Sequence, residues 1–307
     1  MNRVLKSTAA GGLDRGAFPM RLFQKAKRHG VWDPCSFDFT RDRADWLRLD
    51  PTEREVLLHL TSLFQAGEES VTLDLLPLIQ ALAAEGRLEE EIYLTSFLWE
   101  EAKHVELFRR FLDEVADEHG DLARFASPSY RQLVYVELPS ALDRLRSDPS
   151  PVAQAEASVT YNMIVEGVLA ETGYQGYFTA LERRGLMPGM RQAIALLKRD
   201  ESRHIAFGVY LLARLVAEHG EPVWSAVERR MDQLLPLALG TVEEIFAPYD
   251  PMPFDLARDE FVDFAVTQFQ YRYQRIALGR ESGGLSAEAS DELLAEASDA
   301  GGTAAAD

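Results

Sequence analysis

The sequence predicts an all-α protein built on a long four-helix bundle with additional helices, and three observations carry that expectation. Apolar residues recur at three- and four-residue spacings through most of the 307 positions. Alternating β-branched runs of the kind that build half-buried strands are almost absent. Several helical patterns run for about thirty residues, more than twice the usual helix length, and long bundles are the architecture that accommodates them.

Residues 1–50, Gly-rich and mixed polar, are expected to wrap irregularly, with a short helix near Pro19 to Arg28. Asp50-Pro51-Thr52-Glu53 is a helix start with Pro in the first turn, and the pattern then runs to about Ala84, kinked at Pro77 and closed by Gly86. A second long helix fits Leu88 to about Glu118, stopped by His119-Gly120, and a third fits Pro128 to Arg146 before the break at Pro149-Ser150-Pro151. From Val152 the pattern continues to Arg184. Gly185 and Pro188 mark a turn, and another helix reaches His219-Gly220. Two more follow, Pro222 to Phe246 and Phe254 to Gly279, separated by the turn-rich stretch Pro248 to Pro253. No linker divides residues 1–280, which are read as a single domain.

A formal charge of −18 argues against a face that holds nucleic acid or anionic lipid. The lone cysteine, Cys35, excludes an intrachain disulfide and a Cys-based metal site within one chain. With no secretory signal pattern and no uninterrupted apolar span of membrane length, the expected location is the cytoplasm. After Arg280 there is no Lys or Arg and no aromatic residue, while seven acidic residues accumulate. Residues 281–307 are therefore expected to form an acidic, disordered tail, with at most a short frayed helix near Asp291 to Ala297.

Of six histidines, two have a glutamate three positions earlier: Glu101-x-x-His104 and Glu201-x-x-His204. On a helix, positions i and i+3 share a face, so each motif can aim a carboxylate and an imidazole at one point. One such motif is weak evidence in a Glu-rich chain. The stronger signal is a further glutamate in each preceding helix: Glu68 lies 33 residues before the first motif and Glu166 lies 35 before the second. Antiparallel long helices joined by a short turn bring such positions to one level, so all six side chains can meet at mid-bundle. Four carboxylates and two imidazoles form a di-iron or di-manganese ligand set, and the absence of thiolates disfavours structural zinc. Glu68, Glu166 and Glu201 stand in apolar surroundings, where an unpaired carboxylate is costly to bury. Asp200 is an expected acceptor for an imidazole N–H. The competing reading makes these glutamates ordinary solvated ion-pair partners of Lys103, Arg109, Lys198, Arg199 and Arg203.

This constellation resembles the dimetal site of the ribonucleotide reductase small subunit and its ferritin-like relatives, over roughly residues 20–280. Within that superfamily, Gly67-Glu68-Glu69-Ser70-Val71-Thr72, Trp99-Glu100-Glu101-Ala102-Lys103-His104 and Tyr161-Asn162-Met163-Ile164-Val165-Glu166 are most similar to the small-subunit-like ligand-binding oxidases. The resemblance implies a homodimer and a mixed manganese/iron centre that binds a long-chain fatty acid. It further implies an oxidase that uses O2 to form an ether cross-link between a valine and a tyrosine. Carried over, Glu68, Glu101 and His104 would hold manganese. Glu166, Glu201 and His204 would hold iron, with Glu101 bridging, and Val71 and Tyr161 would be the cross-linked pair. Val71, three residues after Glu68, faces the same way. Tyr161, five residues before Glu166, is about 140° away on a regular helix, so it needs its long phenol or a π-type distortion to reach the site. Tyr174 is either a hydrogen-bond donor beside the site or a packing tyrosine. Gly67, Ala102, Gly167, Ala170 and Gly208 either leave room for an acyl chain or permit close helix packing.

Two other functions compete. A radical-generating reductase small subunit wants a tyrosine four residues after the first-motif histidine, where this chain has Phe108, and an aromatic residue in its C-terminal segment, where this chain has none after Tyr273. A metal store or a fatty-acid-binding protein without turnover shares the same site, although storage cages use shorter chains. Soluble acyl desaturases also carry paired Glu-x-x-His motifs, but their segments are less similar.

Overall fold

The computed structural model describes residues 5–299, and every regular element among them is helical. Helix α1 spans Phe18–His29 and α2 spans Thr40–Trp46, so the N-terminal wrap holds one helix more than expected. The long elements are α3 (Pro51–Asp74), α5 (Leu88–Arg110) and α10 (Pro188–His219). The fourth is a continuous run made of α8 (Pro151–Ser158), a π-helical segment (Val159–Ala170) and α9 (Glu171–Arg183). Helix α3 packs on α5 and the π-helical segment on α10, which makes the bundle.

The starts of these helices are fixed locally. Asp50 and Glu53 form a reciprocal capping box at α3, with Asp50 Oδ1 accepting from Glu53 N at 2.8 Å and Glu53 Oε2 from Asp50 N at 3.0 Å. The first free amides of α10 end on buried carboxylates of α2: Met190 N donates to Asp42 Oδ1 at 2.6 Å and Met187 N to Asp45 Oδ2 at 2.9 Å. That contact pins the α10 register, and with it Glu201 and His204.

The break expected at Pro77 falls two residues earlier, at Leu75, followed by α4 (Leu76–Ala84). The helix expected to reach Glu118 leaves α geometry at Phe111 and winds as a π turn to Ala116. The third helix is divided into α6 (Pro128–Tyr130), a π segment (Arg131–Glu137) and α7 (Leu138–Arg144). Helix α11 runs Glu221–Phe246. Helix α12 (Arg258–Glu281) begins four residues later than Phe254, because Phe254 and Asp255 adopt left-handed backbone (φ 62° and 54°) while the Phe254 ring is buried.

The expected disorder of the tail is corrected over part of its length. Ala287–Asp299 form α13, which packs on α10 and α1 and buries Leu293, Leu294 and Ala297. An apolar stripe at i, i+1 and i+4 gives this acidic segment one face to bury, and its carboxylates meet Arg21 and Arg275. The tail beyond Asp299 lies outside the described residues. No helix among those described is long and apolar enough to cross a membrane.

Candidate metal centre

All six ligand candidates are brought together and buried at mid-bundle. Glu68 comes from α3, Glu101 and His104 from α5, Glu166 from the π-helical segment, and Glu201 and His204 from α10. They form two overlapping groups, Glu68/Glu101/His104/Glu201 and Glu101/Glu166/Glu201/His204, each with ligand atoms within 4.8 Å of one another. Glu201 therefore lies in both groups, as Glu101 does, where the sequence reading gave only Glu101 a bridging place.

The two imidazoles are oriented alike. His104 Nδ1 faces Glu68 Oε2 and Glu201 Oε1 at 3.3 Å each and Glu101 Oε2 at 3.7 Å. His204 Nδ1 faces Glu101 Oε1 at 3.0 Å, Glu201 Oε2 at 3.5 Å and Glu166 Oε1 at 3.6 Å. The opposite nitrogens are taken by acids behind the site. Asp200 Oδ2 lies 3.4 Å from His104 Nε2, as expected, and Glu100 Oε2 lies 2.9 Å from His204 Nε2. Such outer partners fix the ring and raise its basicity as a ligand.

Glu100 was missed, and a signal for it existed: an acid immediately precedes each motif glutamate, Glu100 before Glu101 and Asp200 before Glu201. Each acid serves the other motif's histidine, an exchange that single-helix reasoning does not reveal. Lys103 and Arg203, taken in the competing reading for surface partners of the glutamates, are instead buried beneath the site. Arg203 donates to Glu100 Oε1 at 2.6 Å and also to Asp200 Oδ1, while Lys103 Nζ and Trp32 Nε1 donate to Asp200 Oδ2 at 2.9 and 2.8 Å. Gly30 lets the α1 end approach this network, since a Cβ there would lie 1.9 Å from Glu100 Oε1.

Tyr174 is a hydrogen-bond donor, with Oη 2.7 Å from Glu68 Oε1. Tyr161 reaches the site through the π-helical winding, in which residues five apart share a face, and its Oη donates to Glu101 Oε1 at 3.3 Å. Asn162, also unforeseen, donates from Nδ2 to Glu166 Oε2 at 3.0 Å and is held by Ser158 Oγ at 2.9 Å.

Above the carboxylates lies a narrow apolar cavity with Leu60, Leu63, Val71, Val134 and Leu169 in its walls and Glu68, Glu101, Glu166 and Glu201 at its floor. Of the small residues, Gly67 and Ala170 line it. Gly167 and Gly208 instead let Arg272 and Asn162 approach the backbone, and Ala102 is exposed.

Burial pushes the Glu68 carboxyl up to about 8 and Glu166 well above its ordinary range. Burial acts the same way on Glu101, but the charges of His204 and His104 beside it outweigh it and hold Glu101 well below the usual range. Both imidazoles are raised well above their usual value: burial opposes this, but the Glu68 charge prevails for His104 and the Glu201 and Glu101 charges for His204. Without metal, the cluster thus carries protons that cations would displace. Glu101 Oε2, Glu166 Oε1, Glu201 Oε2 and His204 Nδ1 are buried without a hydrogen-bond partner. Four orphaned ligand atoms at one point fit a pair of hard divalent cations, which would satisfy them all.

Comparisons with known proteins agree with this geometry. Residues 20–249 match the family described as ribonucleotide reductase, small chain. The solved structure of an R2-like ligand-binding oxidase with aerobically reconstituted Mn/Fe cofactor is 37% identical and covers 90% of this chain and 98% of its own, with a TM-score of 0.85. A point variant of an R2-like ligand-binding oxidase with anaerobically reconstituted Mn/Fe cofactor is 39% identical over 86% of this chain and 94% of its own, with a TM-score of 0.81. By the family match and by these identities, the chain belongs to the ribonucleotide reductase small-chain family and, within it, groups with the R2-like ligand-binding oxidases.

Proposed function

We propose that this protein is an O2-using Mn/Fe oxidase that binds a long-chain fatty acid over its metal centre and joins Val71 to Tyr161 through an ether bond. The observation that carries the reading is the pair of nested carboxylate–imidazole groups, sharing Glu101 and Glu201, at the floor of an apolar cavity. Glu68, Glu101 and His104 would hold manganese, and Glu101, Glu166, Glu201 and His204 would hold iron. When bound, the two metals supply the reduction of O2 and the oxidising power to remove hydrogen from an unactivated C–H bond.

The protein supplies position and dryness. Asp200 and Glu100 hold the imidazoles with Nδ1 inward. Val71, buried in the cavity wall one helical turn from Glu68, would offer its Cβ–H for the cross-link. Burial keeps the Tyr161 phenol protonated, and its Oη donates to Glu101 Oε1, which holds the phenol at the site. Joining Val71 Cβ to Tyr161 Oη removes one hydrogen from each, and the two protons and two electrons pass to oxygen. Four carboxylates alone would repel an acyl carboxylate, whereas two divalent cations cancel their charge and leave apolar walls for the chain.

The single exposed Cys35 suits a reducing cytoplasm, and family kinship suggests a homodimer. Phe108, where the radical-generating alternative wants a tyrosine, is fully buried and stacked on Phe64 at 5.0 Å, so it offers no phenol.

Peptide mass spectrometry of protein loaded with Mn(II) and Fe(II), with and without O2, tests the reading. Val71 and Tyr161 peptides joined with the loss of two hydrogens, only after oxygen, are expected. Unlinked peptides in a fully metallated, oxygen-exposed sample would overturn it.

A further inference from the structure

A second cavity, partly open to solvent, lies between α10, α12 and α13, on the face of α10 next to the one that carries the metal ligands. The guanidinium of Arg272 lines it. Arg272 is 8% exposed, and its Nε is buried without an acceptor. Among the described residues it has no hydrogen bond or ion pair, only the face of Tyr271 at 5.3 Å. It reaches this place because residue 167 has no side chain: a Cβ there would lie 3.3 Å from Arg272 Nε.

A buried guanidinium without an anion is costly. None of the other charges at the cavity makes an ion pair with it. Arg275 and Glu296 are spent on each other at 2.9 Å, and Arg275 also holds Glu292. Glu171 acts on Arg272 by charge alone, without an ion pair, and burial raises its carboxyl. The hydroxyls are committed as well: Ser202 Oγ donates to Lys198 O at 2.9 Å, and Tyr271 Oη donates to Glu296. The remaining walls, Ile205, Ala206, Val209 and Leu293, are apolar.

We propose that this cavity binds a small amphiphilic monocarboxylate, its carboxylate on the Arg272 guanidinium and its aliphatic body along α10 and Leu293. One unspent planar fork of donors suits one carboxylate, whereas a phosphate wants donors on more sides. Since α13 forms the roof, the acidic C-terminal helix is the element that closes over the ligand. The proposal is independent of the chemistry at the metal centre.

Octanoate is the probe, titrated calorimetrically into the metal-loaded full chain. One binding event is expected to weaken at least tenfold in Arg272→Gln and in Leu293→Trp, which fills the cavity, with metal content unchanged. That event is expected to survive in Ala170→Phe, which blocks the metal-side cavity, and octanol should not reproduce it. If Arg272→Gln does not fold, Leu293→Trp decides alone, because it leaves the arginine in place. Octanoate affinity unchanged in the folded variants, an event abolished by Ala170→Phe, or inorganic phosphate competing as well as octanoate would overturn the proposal.

Discussion

Glu100 and His204, 104 positions apart in sequence, share a 2.9 Å hydrogen bond from His204 Nε2 to Glu100 Oε2, while Arg203 holds the other oxygen of Glu100 at 2.6 Å. All three side chains are fully buried. The ring is thereby committed to presenting Nδ1 to Glu101, Glu166 and Glu201. Asp200 does the same for His104 from the other motif.

Removing that support should loosen the metal without removing a ligand. Glu100→Gln is expected to lower affinity at the His204 site about 10- to 100-fold, and Asp200→Asn to do the same at the His104 site. Competitive chelator titrations of each variant measure this. Glu100→Ala should also cost about 3–5 kcal/mol in a denaturant melt, because it strips Arg203 of a buried partner. Unchanged affinity in both conservative variants would remove the orienting role.

Metal loading should expel protons. Burial raises Glu68 and Glu166 and the surrounding carboxylates raise His104 and His204, so the metal-free cluster holds protons at neutral pH. Calorimetry in buffers of different ionisation enthalpy should give roughly two to four protons released at pH 7, and loading should weaken as pH falls. Release near zero would show that the cluster is already deprotonated.

His59 should make the fold acid-sensitive apart from the metal centre. Burial pushes its imidazole down to about 4, and Nε2 has no partner. Because the folded value is depressed, the unfolded chain takes up the proton first. The stability this histidine contributes is present above about 6.5 and is lost as pH falls from there toward 4, by up to about 3 kcal/mol. The difference between wild-type and His59→Phe stability should shift by that amount between pH 7 and pH 4. A difference that does not change with pH would contradict the assignment.

Filling the apolar cavity should separate acyl binding from metal binding. Ala170→Phe places a ring in the space lined by Leu60 and Leu169 without touching a ligand. The variant is expected to retain both metals and to lose most long-chain fatty acid recovered by extraction of the purified protein. Equal recovery from both proteins would place that acid elsewhere.

The ligand set was legible because its code is local: two Glu-x-x-His motifs obey helical periodicity, and the spacings from Glu68 and Glu166 match a helix pair. The supports were not legible, because Glu100 and Asp200 cross between helices and Lys103 and Arg203 look like solvent-facing cations until the bundle closes. Regular geometry put Tyr161 on the wrong face, and the requirement for a π-type distortion followed from that misfit; Val159–Ala170 is indeed π-helical. Composition misled at the C-terminus, where acid and Ala/Gly/Ser content outweighed the three positions, Leu293, Leu294 and Ala297, that dock α13. Phe254 followed the helical pattern of α12 but takes left-handed backbone to bury its ring, which periodicity cannot show.

Anomalous diffraction at the manganese and iron edges, from crystals of protein loaded with both metals, tests whether the six side chains hold one manganese and one iron side by side. Two ions are expected, manganese among Glu68, Glu101 and His104 and iron among Glu101, Glu166, Glu201 and His204. A single ion, or metals held by other residues, would contradict it.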